Sequence, residues 1–435
     1  MNRVVPKIMP GFMELLPEDQ ILFNEMIDTI RSVYEKFGFL PLDTPILEYS
    51  DVLLAKAGGE TEKQIYRFLK GSTDISMRFD LTVPLARYVS MRRNDLIFPF
   101  KRYQIGKVYR GERPQKGRYR EFYQCDIDVI GENLSTLYDA EIPAIIYNLF
   151  KELNFGKFTI RINNRKVLNG FFEDLNLTDK VSDILRIIDK LEKIGISSVK
   201  EELSLLGISS QLIEKIIDFI NIKGTNDEII SLLTNFDCNN ETFKEGVASL
   251  TELVSNIRNF GVSDDYFILD LTIARGLDYY TGTVYETCLD DYPSLGSVCS
   301  GGRYDNLTKY YTDCDLQGIG ISIGITRLFS KLKEMGIATS KRKSLLNALI
   351  IPFDSDCIDY AIRVSEILRE NNVICDIYYE NKGFKQKMKY ANRLGVPYII
   401  ILGSDEKKDN LVTVKNMETG SQETIDFALL KDYFK

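Results

Sequence analysis

Apolar residues recur at three- and four-residue intervals near the start of the chain, where Phe23, Met26, Ile27, Ile30, Val33, Tyr34 and Phe37 share one face. With Pro17, Glu18 and Asp19 as a start signal and Gly38 as a stop, the spacing predicts an amphipathic helix of about five turns. The next stretch, FGFLPLDTPILE, is broken by Pro41 and Pro45 and is expected as an extended edge segment, because proline has no N–H for a sheet ladder. Residues 98–110 and 120–130 form two candidate strands around a charged turn containing Pro114 and Gly117. A period of two divides the second strand cleanly. Tyr123, Cys125, Ile127 and Val129 fall on a core face, while Arg120, Phe122, Gln124, Asp126 and Asp128 fall on a polar face that either meets water or lines a site. From about 172 to 258 the pattern turns helical and glycine-poor, which suggests an inserted helical module. Strands resume in DYFILDLTIARGLDYY and TGTVYETCL, followed by SGGRYDNL and QGIGISIGITRLF. In the last of these, Ile319, Ile321 and Ile323 alternate with Gly318, Gly320, Ser322 and Gly324, so one strand face is nearly bare. Either a flat ligand or a tight internal contact would suit such a face. Beyond the polar linker KEMGIATSKRKSLLN, strands and helices alternate as ALIIPF, DYAIRVSEILRENN, VICDIYY, FKQKMKYANRLG and VPYIIILG. This alternation predicts a mostly parallel sheet with right-handed crossovers.

Composition narrows the chemistry. The chain's 435 residues are enough for two or three domains, and its 44% hydrophobic content is that of an ordinary globular protein. No run is apolar enough to span a bilayer, and the N-terminus has no signal-peptide pattern, so no membrane association and a cytoplasmic location are expected. The seven cysteines include no CxxC pair, which argues against a disulfide framework and a Cys-rich zinc site. The chain contains no histidine at all, which excludes Ser/His and Cys/His triads and histidine-ligated zinc. Its chemistry must rest on positioning and charge stabilisation, or on carboxylate, Tyr, Lys or Cys groups. The net charge is −8, yet residues 92–120 carry ten Lys/Arg against two acids, and residues 381–404 carry five and no acid. Positive charge gathered this way in an acidic protein suggests polyanions met at defined places.

The segments fall into a known arrangement. YRGERPQKGRYREF resembles the second class-wide motif of class II aminoacyl-tRNA synthetases, and GIGISIGITRLF resembles the third. RGLDYYTGTVYE and GGRYD are similar to the two signatures of the histidyl-tRNA synthetase family, and residues 11–49 to its first motif. The likeness covers nearly the whole chain. It implies an α+β fold: a six- or seven-stranded, mainly antiparallel sheet flanked by helices, with a helical insertion and a C-terminal α/β anticodon-binding domain. The expected divisions are 1–171 and 259–335 for the catalytic core, 172–258 for the insertion and 343–435 for the anticodon-binding domain.

The resemblance also implies an activity. The histidine carboxylate would attack the α-phosphate of ATP, supplied with Mg2+, and histidine would then pass from the adenylate to the 3′ end of tRNA-His. That chemistry needs charge neutralisation and in-line geometry more than a proton-transfer residue, so a histidine-free chain can perform it. Carried over residue by residue, the family pattern places Arg110 on the α-phosphate, Glu112 near the adenine and Phe122 against its ring. Arg118 and Arg327 would hold the outer phosphates and the nucleotide's other face, with glycines 318–324 letting it lie close to the backbone. Arg275 would bridge the attacking carboxylate and the α-phosphate, a task for which related enzymes often use a metal ion. Asp80 and Gln124 would meet the α-ammonium, and Asp128, Tyr280 and Tyr304 the imidazole. Many bacterial members have Glu where this chain has Asp80 and Asp128, which preserves the carboxylate and shortens its reach. Arg113 and Gln115 would read the extra 5′ guanosine of the tRNA, and the basic helix 382–393 would approach the anticodon stem. Thr326 stands where an acidic residue is common. A homodimer formed through the first motif and no protein-bound zinc complete the expectation.

The main rival is the catalytically inactive paralogue that serves as a histidine-binding regulatory subunit of ATP phosphoribosyltransferase. That family lacks the anticodon domain and tends to lose the nucleotide arginines, whereas Arg110, Arg118, Arg275 and Arg327 are all present here. A class II synthetase for threonine would need a Cys/His zinc site, for which this chain has no histidine.

Overall fold

A computed structural model describes residues 3–55, 60–113, 117–273, 280–305, 307–340 and 342–434. The chain divides into two compact units, one of Met1–Met13 with Met26–Ala338 and the other of Glu14–Glu25 with Thr339–Lys435. The expected first helix is present as Pro17–Lys36.

The first unit contains strands β1 (Leu40–Pro41), β2 (Leu47–Tyr49), β3 (Arg67–Lys70), β4 (Thr73–Met77), β5 (Phe100–Tyr109) and β6 (Glu121–Gly131). After them come β7 (Phe158–Asn164), β8 (Phe267–Leu269), β9 (Tyr280–Leu289), β10 (Ser297–Tyr304) and β11 (Gln317–Ile323). Its main sheet runs β1-β5-β6-β11-β10-β9-β7-β8, and β2, β4 and β3 form a separate small sheet. Six central strands pair antiparallel, as expected. The total is eight where six or seven were expected, because two short strands add themselves in parallel at the edges. One of them contains Pro41, where the missing N–H is harmless.

The period-two reading of β6 holds in space. Cys125, Ile127 and Val129 are fully buried. Behind them lies Tyr34, whose hydroxyl donates to the Cys125 carbonyl at 3.0 Å. Further apolar packing comes from Ile142, Ile145, Ile146 and Leu149 of the helix Leu137–Leu153. With one face sealed by this core, every second residue of β6 is driven to the opposite face, which is the origin of the polar wall described below.

Between 172 and 258, buried Phe219 and Phe243 and half-buried Phe236 cluster around Phe171, with the Phe171 and Phe219 rings stacked 3.9 Å apart. The expected divisions at 171/172 and 258/259 fall inside the helices Arg165–Asp174 and Glu241–Asn259. These two helices pack tightly: a Cβ at Gly170 would lie 2.3 Å from the Phe243 nitrogen, and one at Gly246 would lie 2.6 Å from the Val167 nitrogen.

The second unit contains β12 (Ala348–Pro352), β13 (Cys375–Ile377), β14 (Tyr398–Leu402), β15 (Leu411–Asn416) and β16 (Gln422–Asp426), in the order β13-β12-β14-β15-β16. The first three are parallel, as the alternation predicts. The last two form an antiparallel hairpin that the alternation does not predict, so the sheet is mixed. Among the described residues, no helix is long and apolar enough to cross a membrane.

Candidate functional site

The polar face of β6 forms one wall of a cavity of about 500 Å³ in the first unit. Ten of the thirteen residues singled out from the sequence line it: Asp80, Arg110, Glu112, Arg118, Phe122, Gln124, Asp128, Tyr280, Tyr304 and Arg327. Arg113 is exposed and lies outside the cavity wall. Arg275 and Gln115 fall outside the described residues.

The cavity is charged differently at its two ends. Arg110 follows directly on β5, and its Nε donates to the Phe79 carbonyl at 3.0 Å. Its guanidinium lies 5.1 Å from the centre of the Phe122 ring, within cation–π range. Glu112 pairs with Arg118 at 3.3 Å, and the Arg118 side chain remains 63% exposed. Arg327, in the first turn of the helix Ile325–Glu334, donates to the Leu295 carbonyl at 2.9 Å. This end therefore offers three guanidinium groups and an aromatic face.

The other end is acidic and buried. Asp80, Asp126 and Asp128 are all buried. Asp80 Oδ1 accepts the Val83 N–H at 3.0 Å, while its Oδ2 is buried without a hydrogen-bond partner among the described residues. Gln124 Nε2 donates to the Ser322 hydroxyl at 2.6 Å, and its Oε1 is likewise unpartnered. Asp128 forms an ion pair with Arg102 Nη2 at 2.6 Å through one oxygen and accepts from the Tyr304 hydroxyl at 2.7 Å on the other. Burial pushes the Asp128 carboxyl up to about 6 and Asp126 up to about 7, with the Arg102 guanidinium opposing the shift in both. Burial also raises Asp80, against the pull of the Val83 N–H and the Arg110 charge.

The bare face of β11 has an internal tenant. A Cβ at Gly318 would come within 2.1 Å of the Tyr304 ring, and one at Gly320 within 2.3 Å of Asp128 Oδ1. The flat group over Gly318 is thus a tyrosine of the neighbouring strand, which corrects the expectation that the glycines of 318–324 all make room for a nucleotide. The close approach lets the Tyr304 hydroxyl reach Asp128. A Cβ at Gly324 would meet nothing within 4 Å, so this residue keeps open space on the cavity side. Thr326, in place of the common acidic residue, accepts the Tyr123 N–H at 2.8 Å and ties its helix to β6. Thr326→Val is expected to remove this acceptor and cost about 1–3 kcal/mol, measured by urea unfolding.

Sequence reasoning missed Arg102, Asp126 and Ser322. Asp126 was already on the polar face by its spacing. Arg102 is 0% exposed and stands directly opposite Asp128 in the β5–β6 hairpin, while Ser322 stands opposite Asp126 across β6 and β11. Only the strand register joins these pairs, and the turn length alone does not supply it.

Comparison with known proteins agrees with this geometry. The model of the family described as histidyl-tRNA synthetase matches residues 11–328, and that of the anticodon binding domain matches 347–435. The chain is 60% identical over 424 residues to the histidine–tRNA ligase of Clostridium tetani, covering 97% of this chain and 96% of the relative. It superposes on the crystal structure of histidyl-tRNA synthetase from Nostoc sp. PCC 7120 with a TM-score of 0.91 at 40% identity, covering 99% of each chain. The structure described as an ATP phosphoribosyltransferase regulatory subunit/histidyl-tRNA synthetase from Bacillus halodurans C matches at TM-score 0.76 and 21% identity, covering 93% of this chain and 100% of that one, which shows a shared fold only. A match running through both the catalytic and the anticodon-binding portions, at 60% identity to a histidine–tRNA ligase, places this chain in the histidyl-tRNA synthetase family.

Proposed function

We propose that the chain activates histidine with ATP and transfers it to tRNA-His, using the cavity beside β6 for the first step. The observation that carries this reading is the division of the cavity: arginines and an aromatic ring at one end, and buried acceptors without partners on Asp80 and Gln124 at the other. A buried acceptor left unpaired is costly, so a ligand bringing several N–H donors suits it. The α-ammonium and imidazole of histidine are such donors, and a phosphate belongs at the arginine end. ATP enters as its Mg2+ complex, with Arg110 at the α-phosphate, Arg118 and Arg327 on the outer phosphates, Glu112 near the adenine and Phe122 against its ring. Arg275 completes the charge balance at the reacting atoms. Asp128, Tyr280 and Tyr304 address the ring. The reading calls for no protein-bound zinc and a cytoplasmic setting.

For the tRNA, Arg113 and Gln115 meet its 5′ end. In the second unit the helix Phe384–Leu394 exposes Lys385, Lys389 and Arg393, with Lys382 just before it. Lys387 is only 3% exposed and is spent on the Pro352 carbonyl at 2.7 Å, so it is not available to a phosphate. Exposed Phe353 stacks on Phe384 at 5.7 Å, the kind of aromatic surface on which unpaired bases settle. A homodimer is supported by the exposed Leu47, Tyr49, Phe68 and Leu69 on the small β2-β4-β3 sheet, apolar surface of the kind that a partner covers.

Transfer of labelled histidine to tRNA transcripts tests the whole reaction. Charging of tRNA-His is expected, with a loss of at least about tenfold when the extra 5′ guanosine is removed, since that contact is worth on the order of 1.4 kcal/mol or more. Histidine binding with no transfer to any tRNA would return the regulatory-subunit reading.

A further inference from the structure

The assignments above leave one carboxyl of the acidic wall without a task. Asp126 is 2% exposed and lines the cavity, and its Oδ1 is buried with no hydrogen-bond partner among the described residues. Asp128, to which the family pattern gives the imidazole, has each of its oxygens already engaged, one by Arg102 and one by Tyr304. Ser322, which accepts from Gln124 Nε2 at 2.6 Å, stands directly opposite Asp126 across β6 and β11, and its hydroxyl works against the upward shift of the Asp126 carboxyl.

We propose that Asp126 is a specificity-determining residue of the histidine site, its open Oδ1 accepting a hydrogen bond from a ring N–H of the bound amino acid. The inference rests on the reading of the cavity as a histidine-activating site and deepens it. Position supports the ring over the ammonium. Along β6, side chains on one face are about 7 Å apart, and they run from Phe122 at the arginine end through Gln124 to Asp126 and Asp128. Asp80 and Gln124 each present an open acceptor nearer the arginines, where the amino acid's reacting end must lie, so its side chain extends toward Asp126. An apolar side chain in that place would leave Asp126 Oδ1 unpaired, which is how a polar site rejects apolar competitors most strongly.

The surroundings make the contact pH-sensitive. Asp126 faces Gln124 and Asp128 on its own strand, Arg102 and Gln104 on β5, Ser322 on β11 and Asp80 in the loop before the helix Thr82–Arg92. Cys299 on β10, together with Cys125 and Tyr34, lies close enough to feel its charge. Arg102 opposes the upward shift of all three buried carboxyls, with Arg110 joining it at Asp80, and the Asp126 carboxyl is held near 7. Its ionised form, the better acceptor for an N–H, is therefore lost as pH falls through 7.

Histidine-dependent ATP–pyrophosphate exchange tests this with Asp126→Ala, Asp126→Asn and Ser322→Ala against wild type, between about pH 6 and 8.5, a window that brackets both the held carboxyl and free imidazole. Asp126→Ala is expected to raise the KM for histidine by at least about tenfold while the KM for ATP stays within about twofold. Asp126→Asn should give a smaller rise and flatten the acid-side fall in kcat/KM; histidine's own ring titrates in both proteins, so the difference belongs to Asp126. Ser322→Ala should shift the histidine KM in the same direction by less. A histidine KM within about twofold of wild type in Asp126→Ala would overturn the proposal, and so would equal losses for histidine and ATP, which would make the residue structural. A wild type showing no histidine-dependent exchange would instead remove the parent reading and this one with it.

Discussion

Arg110→Ala is expected to slow histidine-dependent ATP–pyrophosphate exchange by about a hundredfold to a thousandfold, the range seen when one preorganised donor to a developing charge is removed. The residue is fixed before any ligand arrives. Its Nε is committed to the Phe79 carbonyl and its guanidinium lies near the Phe122 ring, so under the proposed assignment it needs no reorganisation when negative charge builds on the α-phosphate. Because that charge is greatest in the transition state, kcat should fall much more than KM rises. Arg110→Lys keeps the charge and loses the planar fork, and should lie between wild type and alanine. Arg275→Ala is expected to act in the same direction. If instead the ATP KM rose in Arg110→Ala with kcat unchanged, the arginine would be only a ground-state clamp.

The second large effect concerns stability. Arg102→Met should destabilise the protein by about 3–5 kcal/mol at neutral pH, because it leaves the buried Asp128 without its cation. The loss should depend on pH in a specific sense. In the folded protein, burial already raises Asp126 and Asp128 to about 7 and about 6, and Arg102 is the largest influence opposing the rise. Folded carboxyls of this kind retain protons that unfolded ones release near pH 4, so their contribution to stability falls as pH climbs from about 4 to about 7. Removing Arg102 raises both groups further, which extends the fall to higher pH. The gap between Arg102→Met and wild type should therefore be narrower at pH 5 than at pH 7.5 in urea unfolding. A gap equal at both values would mean that the cost is lost packing, not an orphaned charge.

Much of this architecture is legible in the sequence, and what escapes has physical reasons. A period of two assigns Gln124, Asp126 and Asp128 to one face because the other, Cys125, Ile127 and Val129, is wholly apolar, and a strand with one sealed face has little freedom of register. Arg102 is invisible for the complementary reason. Its strand alternates as Phe100, Arg102 and Gln104 on one face and Lys101, Tyr103 and Ile105 on the other, so both faces mix apolar and polar residues, and nothing in a linear reading says that an arginine there will be fully buried opposite an aspartate. The bare face of β11 is recognisable as a place for something flat, but one strand cannot reveal that its neighbour supplies Tyr304. The antiparallel hairpin of β15 and β16 escapes because LVTVKN and QETID are short, partly polar strands; pairing of β15 with β14, and of β16 with β15, holds them more than local preference does.

The central claim is that this cavity activates histidine. The direct measurement is ATP–pyrophosphate exchange by the purified protein, run with each of the twenty amino acids in the absence of tRNA. The account predicts exchange with histidine alone, since the arginine end serves the phosphates and the acceptor-lined end requires a ligand rich in N–H donors. Histidine binding with no exchange, or exchange driven equally well by an apolar amino acid, would contradict it.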